Sequence, residues 1–269
     1  MLKNQMTIKN NLAIYQEGES TKNTILFIHG FPYDHFLWNN QTAFLKNYFR
    51  CVSYDIRGLG NSPAGDGQFT LEAFVDDVEI MMEEHNLEKP ILCGISMGGY
   101  IALRAAERLE HKLGGLILCD TKPEADTNEV KLRRAAGVKK INSMGVKKFV
   151  AEFVPTCFTE ESINSSTEYS EMLSRSLNSD PAGVKGCLLA MAGRTDTSGY
   201  LEKIKIPALV ICGEHDKLSP PDAMREMAKM IKNSEFVLVP NAAHMSPVEN
   251  PEFVNKAIKN FFDKNLNKL

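Results

Sequence analysis

The sequence predicts an α/β fold built on a parallel, doubly wound sheet, because three observations on its 269 residues agree. Short, continuously apolar runs such as residues 24–28 are typical of strands that helices cover on both faces. Segments with apolar residues at helical spacing, such as residues 70–86, lie between these runs. A Gly-x-Ser-x-Gly sequence joins the apolar run at 91–93 to the helical pattern that follows it.

The individual elements follow in chain order. Weak alternation in the first 20 residues predicts an antiparallel hairpin. Further patterns predict inner strands at 24–28, 51–54, 91–93, 116–119, 208–213 and 235–240, and helices at 70–86, 100–106, 224–231 and 253–261. Between residues 121 and 199 this alternation stops, and helical patterns at 130–141, 146–154 and 184–191 flank a polar centre at 159–170. The polar centre predicts a loop or a helix with one wet face. The helices either cover a binding site or pack on the sheet away from substrate.

Composition and charge are those of an ordinary globular protein. Hydrophobic residues make up 43% and charged residues 24% of the chain, and the net charge of −3 gives no electrostatic reason to expect nucleic-acid or membrane binding. The six cysteines lack the close pairing of a zinc site and the density of a disulfide scaffold. The first residues lack the apolar core of a signal peptide, and no apolar run reaches the ~18 residues of a membrane span. We therefore expect a cytoplasmic protein without a metal, and its oligomeric state, monomer or dimer, stays open.

The pentapeptide Gly94-Ile95-Ser96-Met97-Gly98 points most directly to function. Its position between a predicted strand and a predicted helix is that of a nucleophile elbow, which strains the serine backbone and lifts the hydroxyl clear of the sheet. Glycine is needed on both sides because a larger side chain would collide with the neighbouring strand or helix. Ser96 is therefore the predicted nucleophile, and the alternative is a serine that only caps the helix.

An acid and a histidine follow in the chain order expected for a serine–acid–histidine triad. Asp216 follows one predicted strand and His244 follows the next. Parallel sheets bind ligands beyond the carboxyl ends of their strands, so the three side chains are expected to meet at one edge. His244 is the predicted general base, and Asp216 is the predicted acid that orients it. Glu214 and Asp120 remain alternatives for the acid, because both also lie at strand ends.

Several segments together resemble the serine-dependent α/β-hydrolases along nearly the whole chain, namely residues 29–32, 55–62, 94–99, 213–216 and 244–251. The resemblance implies an α/β-hydrolase fold, with a mostly parallel, eight-stranded, doubly wound sheet and an inserted helical cap. It implies a core domain at residues 1–120 and 200–269 and a cap at residues 121–199. Residues 118–121 and 191–196 are similar to the branch of 3-oxoadipate enol-lactonases and small carboxylesterases.

The oxyanion hole of such hydrolases consists of two backbone N–H groups. The residue after the nucleophile, Met97, is expected to supply one, and the loop that contains Phe31 and Pro32 the other. Proline has no N–H, so Phe31 is the predicted second donor. The Phe31–Pro32 bond is a candidate cis peptide. Some relatives that form peracids carry a proline at this position, which raises perhydrolysis as a side activity.

The expected reaction is cleavage of a small or medium carboxylic ester through an acyl-enzyme on Ser96, without a cofactor. Apolar residues near the oxyanion loop and in the cap predict an apolar pocket, or else part of the core: Phe31, Tyr33, Phe36, Trp38, Cys187, Leu188, Leu189 and Met191. A carboxylated enol-lactone is the second candidate substrate, and it needs a cation, for which the cap offers Arg133, Arg134, Arg175 and Arg194. A small-molecule receptor with slow turnover is an alternative of a different class, because it would carry the same triad.

Overall fold

The structure, a computed structural model that describes residues 5–9 and 12–265, contains one eight-stranded sheet in those residues. Its strands are β1 (Gln5–Lys9), β2 (Leu12–Glu17), β3 (Thr24–Ile28), β4 (Arg50–Tyr54), β5 (Ile91–Ile95), β6 (Gly115–Cys119), β7 (Ala208–Gly213) and β8 (Ser234–Val239). The spatial order is β1-β2-β4-β3-β5-β6-β7-β8. β2 pairs antiparallel with β1 and β4, and the other neighbours pair parallel. The predicted hairpin and mostly parallel sheet are confirmed.

Helices connect the parallel strands in the described part of the chain. They are α1 (Asn39–Leu45), α2 (Leu71–Glu84), α3 (Met97–Leu109), α4 (Asn128–Met144), α5 (Val146–Phe153), α6 (Glu160–Ser165), α7 (Thr167–Ser176), α8 (Pro181–Ala192), α9 (Pro221–Met230), α10 (Ser246–Glu249) and α11 (Pro251–Asn265). α3 contacts β3, β5 and β6, whereas α9 and α11 contact β7 and β8. None of the described helices combines the length and the apolar character that a bilayer crossing requires.

Burial explains why the inner strands were visible in the sequence. All residues of β3, β4, β5 and β6 are buried, as expected where helices cover both faces of a parallel sheet. α2 starts where predicted because the Thr70 side chain accepts a hydrogen bond from the Ala73 N–H at 3.1 Å. Its buried face carries Leu71, Phe74 and Val78 at helical spacing.

The helical insertion, residues 121–199, contains α4 to α8 and no strand among its residues, all of which the structure describes. The patterns at 130–141, 146–154 and 184–191 correspond to α4, α5 and α8. The polar centre forms two short helices, because the side chains of Thr159 and Ser166 each accept a hydrogen bond from a backbone N–H three residues ahead.

Two contacts show how closely the insertion packs on the sheet domain. A Cβ at Gly183 in α8 would lie 1.7 Å from the carbonyl oxygen of Gly58, so the two backbones touch where no side chain fits. The ring of Phe31, beyond β3, meets the rings of Phe149 and Phe153 in α5 edge-on, at centroid distances of 6.1 and 5.4 Å. The insertion therefore covers the edge of the sheet next to the predicted oxyanion loop.

Candidate active site

Ser96 sits in a strained turn between β5 and α3. Its φ of 52° and ψ of −116° lie where residues other than glycine rarely occur. A Cβ at Gly98 would lie 2.1 Å from the carbonyl oxygen of Ile28, so only glycine allows this close approach to β3. The Ser96 N–H donates to Cys119 O at 3.0 Å, and the Thr121 hydroxyl donates to Ser96 O at 2.8 Å. Backbone and side-chain contacts from the end of β6 thus hold the turn.

The structure brings Ser96, His244 and Asp216 together at one edge of the sheet. Ser96 Oγ lies 2.9 Å from His244 Nε2, and His244 Nδ1 lies 2.8 Å from Asp216 Oδ2. Since an ionised carboxylate only accepts, Nδ1 carries the proton and Nε2 accepts from the serine hydroxyl. Asp216 Oδ1 accepts from the N–H groups of Leu218 and Ser219 at 2.7 and 3.0 Å, which fixes the carboxylate. The histidine and the aspartate are buried, whereas Ser96 is only partly so.

The two alternative acids do not bond to His244. Glu214 is exposed to solvent beyond the end of β7. Asp120 is fully buried, and its oxygens accept from Gly213 N–H at 2.8 Å and from the Ser246 hydroxyl at 2.5 Å. Asp120 therefore joins the ends of β6 and β7 to the start of α10, next to the triad.

Asp120 and Asp216 form a buried carboxyl pair. One oxygen of each lies within 4.8 Å of the other and of Cys212 Sγ. Burial, and after it the negative charge of Asp216, raises the pKa of Asp120 well above its ordinary value. This trio has the size of a metal site, yet hydrogen bonds from protein groups already occupy all four carboxylate oxygens.

The loop after β3 runs directly beside the elbow. A Cβ at Gly30 would lie 3.4 Å from Ser96 Cβ, which places the loop backbone against the serine. The Phe31–Pro32 peptide is cis, as hypothesised from the sequence. Among the described residues, no acceptor takes a hydrogen bond from the backbone N–H of Phe31 or Met97. Both groups are therefore free to donate to a ligand oxygen.

His29 braces this loop rather than facing the serine. Its Nε2 accepts from the Ile56 N–H at 2.9 Å, so the proton sits on Nδ1, which donates to Gly30 O at 2.9 Å. Complete burial lowers the pKa of His29, so the neutral ring is the stable form. The imidazole therefore acts as a bridge between the ends of β3 and β4.

Trp38 was predicted to contact substrate, and the structure corrects this. The side chain is fully buried, and its ring centroid lies 5.1 Å from that of Phe27 in β3. The indole therefore fills the core between the sheet and the 3₁₀ turn that precedes α1. A ring enclosed in this way has no surface left for a ligand.

The apolar residues of α8 do not form one pocket wall. Leu189 is 56% exposed, unlike its neighbour Leu188, and its place in a pocket stays a prediction. Leu188 and Met191 are buried. A Cβ at Gly137 would lie 3.2 Å from Leu188 Cδ1, which gives Leu188 a packing contact between α4 and α8. Substrate contact by Leu188 and Met191 stays a prediction.

Each of the four arginines named from the sequence lies within 4 Å of a carboxylate. The partners are Asp126 for Arg134 and Arg194, Asp34 for Arg175, and Glu129 for the exposed Arg133. The guanidinium carbon of Arg194 also lies 3.9 Å from the ring centroid of Tyr100 in α3. Arg134, Arg175 and Arg194 are thus held by carboxylates, whereas Arg133 is exposed to solvent.

Sequence reasoning assigned no role to two acids that tie the insertion to the site. Asp34 bonds Arg175 at 2.7 Å across 141 positions of sequence, and no local pattern indicates such a pair. Glu249 accepts from the Ala243 N–H at 2.7 Å and from Thr159 in the insertion. The sequence drew attention to Glu249 only because it lies in residues 244–251, one of the segments that resemble the hydrolases.

Comparison with known proteins agrees with the fold. A family model described as the alpha/beta hydrolase fold matches residues 23–251. A thermophilic esterase from Thermogutta terrifontis is 35% identical with a TM-score of 0.89, covering 94% of this chain and 93% of that one. The enol-lactonase from Burkholderia xenovorans LB400 is 26% identical with a TM-score of 0.87, at 96% and 100% coverage. The 3-oxoadipate enol-lactonase 1 of Acinetobacter baylyi is 28% identical over 242 residues, at 90% and 89% coverage. This chain belongs to the alpha/beta hydrolase fold family.

Proposed function

We propose that this protein is a serine hydrolase that cleaves a small or medium carboxylic ester through an acyl-enzyme on Ser96. The observation that carries the proposal is the unbroken chain of hydrogen bonds from Ser96 Oγ through His244 to Asp216, at 2.9 and 2.8 Å. The family assignment supports it, as does the 35% identity to an esterase over most of both chains.

The geometry suits acyl transfer in two steps. In the first, Ser96 Oγ attacks the ester carbonyl carbon while His244 Nε2 takes the hydroxyl proton. Asp216 stabilises the imidazolium, and the N–H groups of Phe31 and Met97 donate hydrogen bonds to the developing oxyanion. The tetrahedral intermediate collapses as His244 protonates the leaving alcohol. In the second step His244 deprotonates a water, which attacks the acyl carbonyl, and then returns the proton to Ser96 Oγ as the acyl–oxygen bond breaks.

The helical insertion acts as the cap of this site in our proposal, with residues 1–120 and 200–269 as the core domain. The support is its contact with the oxyanion loop, where two phenylalanine rings of α5 meet the Phe31 ring. Phe31 would then line the acyl pocket with its side chain while its N–H serves the oxyanion. A cap that excludes water strengthens each of these electrostatic interactions.

An enol-lactone is the second candidate substrate, because enol-lactonases are among the similar proteins. The same serine would open the ring by attack on its carbonyl. The cap arginines that are buried or half-buried pair with carboxylates, so the cation we propose for a substrate carboxylate is Lys122, which is half-buried just past β6. It has no hydrogen bond or ion pair within the described residues, and burial lowers its pKa. Lys122→Met should then raise KM for a carboxylated lactone and leave neutral esters unaffected; an equal effect on both would remove this candidate.

A screen of p-nitrophenyl acetate, p-nitrophenyl butyrate and short-chain lactones on the purified protein tests the proposal. The wild type should turn over many times, and Ser96→Ala should abolish turnover. Ser165→Ala, a matched change on an exposed helix, should leave it intact. One stoichiometric burst would favour the receptor alternative, and full activity in Ser96→Ala would remove Ser96 as the nucleophile. The ratio of peracid formation to hydrolysis in Pro32 variants tests the perhydrolysis prediction.

A further inference from the structure

The carboxylate of Glu249 connects the helical insertion to the residue before His244. Its Oε1 accepts from Thr159 N–H, from the Thr159 hydroxyl and from the Ser162 hydroxyl, each at 2.8 Å. Its Oε2 accepts from the Ala243 N–H at 2.7 Å. One ionised side chain thus holds the start of α6 with one oxygen and the histidine loop with the other.

The loop that carries His244 depends on few other contacts of this kind. Residues 240–245 form no helix or strand. Besides the bond from His244 to Asp216, the loop is held by hydrogen bonds from His215 N–H to Ala242 O at 2.8 Å, from Asn250 Nδ2 to Pro240 O at 3.1 Å and from Asn241 N–H to Glu214 Oε2 at 3.3 Å. The Ala243 N–H lies in a residue that is 8% exposed, so losing its carboxylate acceptor would leave a nearly buried donor without a partner. The orientation of Glu249 therefore bears directly on the backbone next to the imidazole.

α6 in turn sets the orientation of Glu249. Three of the four hydrogen bonds to the carboxylate come from Thr159 and Ser162, and Thr159 is also the N-cap of α6. A displacement of α6 from Glu249 would remove three of the four donors to the carboxylate. Displacement of α6 and loosening of the loop at residues 240–245 would then be coupled.

We propose that Glu249 is a positioning residue that aligns His244 only while α6 is docked on its carboxylate. The catalytic consequence rests on the proposed hydrolase function, because it requires His244 to be the general base. The base is then competent when the insertion is closed, and an acyl-enzyme forms only where the insertion already limits the access of water.

The test changes α6 and measures the histidine loop. The double variant Thr159→Val with Ser162→Ala removes two of the three donors of α6 and leaves Glu249 and Ala243 untouched. Amide hydrogen exchange of peptides covering residues 241–245 should become about tenfold faster, as expected for weakened charge-assisted bonds. In the same variant kcat for an ester should fall about tenfold, with KM changed less than about threefold.

Ser165→Ala is the matched control, because Ser165 lies in α6 and its hydroxyl donates to Glu161 O at 2.7 Å instead of to Glu249. It should leave both exchange and kcat at wild-type values. Faster exchange confined to α6, with the histidine loop unchanged, would overturn the proposal. Glu249→Gln is a second test variant. An amide has only one oxygen, so it cannot accept hydrogen bonds from both α6 and the Ala243 N–H, and amide exchange at Ala243 should again become faster. The exchange measurement does not require ester hydrolysis by the wild type. Failure of this proposal can therefore be distinguished from failure of the proposed function.

Discussion

Replacing Asp216 by asparagine is expected to lower kcat for ester hydrolysis by about 10³–10⁴-fold while the fold is retained. Asparagine keeps Oδ1, which still accepts from the Leu218 and Ser219 N–H groups. Its amide group takes the place of Oδ2 and becomes a donor toward His244 Nδ1. The imidazole must then carry its proton on Nε2, where it faces Ser96 and cannot accept the hydroxyl proton.

The expected loss corresponds to about 4–5.5 kcal/mol of transition-state stabilisation, since each tenfold change is about 1.36 kcal/mol. The cost in folding is expected to be smaller. Two of the three hydrogen bonds to the side chain remain, so the free energy of unfolding should change by about 1–2 kcal/mol. A large effect on kcat with a small effect on stability separates an orienting acid from a merely structural one.

The assay is steady-state hydrolysis of p-nitrophenyl acetate, with urea unfolding of the same preparations. Glu214→Gln is the matched control, because Glu214 is exposed just before Asp216 and has no bond to His244. Its kcat should stay within about twofold of the wild type. The reasoning is refuted if Asp216→Asn retains more than about a tenth of the activity, or if Glu214→Gln loses as much.

Three further substitutions test the structure around the triad. Gly98→Ala should lower the free energy of unfolding by about 3 kcal/mol or more, because its methyl group would lie 2.1 Å from Ile28 O. The control Gly199→Ala should be nearly neutral, because a Cβ at Gly199 meets no atom within 4 Å. Because burial raises the pKa of Asp120, folding of the wild type weakens as pH rises from about 4 towards that folded-state pKa. Asp120→Asn removes this loss, so its stability relative to the wild type should increase between about pH 5 and about pH 8 in urea titrations, and a constant difference would contradict the assignment. Trp38→Phe should lower the melting temperature by a few degrees and leave kcat/KM unchanged, whereas a selective rise in KM would restore a role in substrate binding.

Local patterns in the sequence were enough to predict the inner strands, the turn at Ser96 and the chain order of the triad. Continuous apolar runs mark the inner strands because those strands are buried on both faces. The elbow is readable because its geometry demands glycine next to a serine with positive φ. Chain order then places an acid and a histidine at neighbouring strand ends, where Gly213 of β7 pairs in register with Val239 of β8.

Long-range packing explains what the sequence could not reveal. α8 is apolar on most of its surface, so helical periodicity gave no way to distinguish buried Leu188 from exposed Leu189. Trp38 lies in a single 3₁₀ turn, which is too short to show a buried face. The choice of Asp216 over Asp120 depended on which carboxylate reaches Nδ1, and only coordinates settle a distance of that kind.

The central claim, that Ser96 is a nucleophile activated by His244, is tested most directly by rapid quenching of the reaction with p-nitrophenyl acetate. Peptide mapping by mass spectrometry then locates the acetyl group. The account predicts acetylation of Ser96 in the wild type, and none there within the same interval in His244→Ala. Acetyl on a different residue, or acetylation of Ser96 at an equal rate without the imidazole, would contradict it.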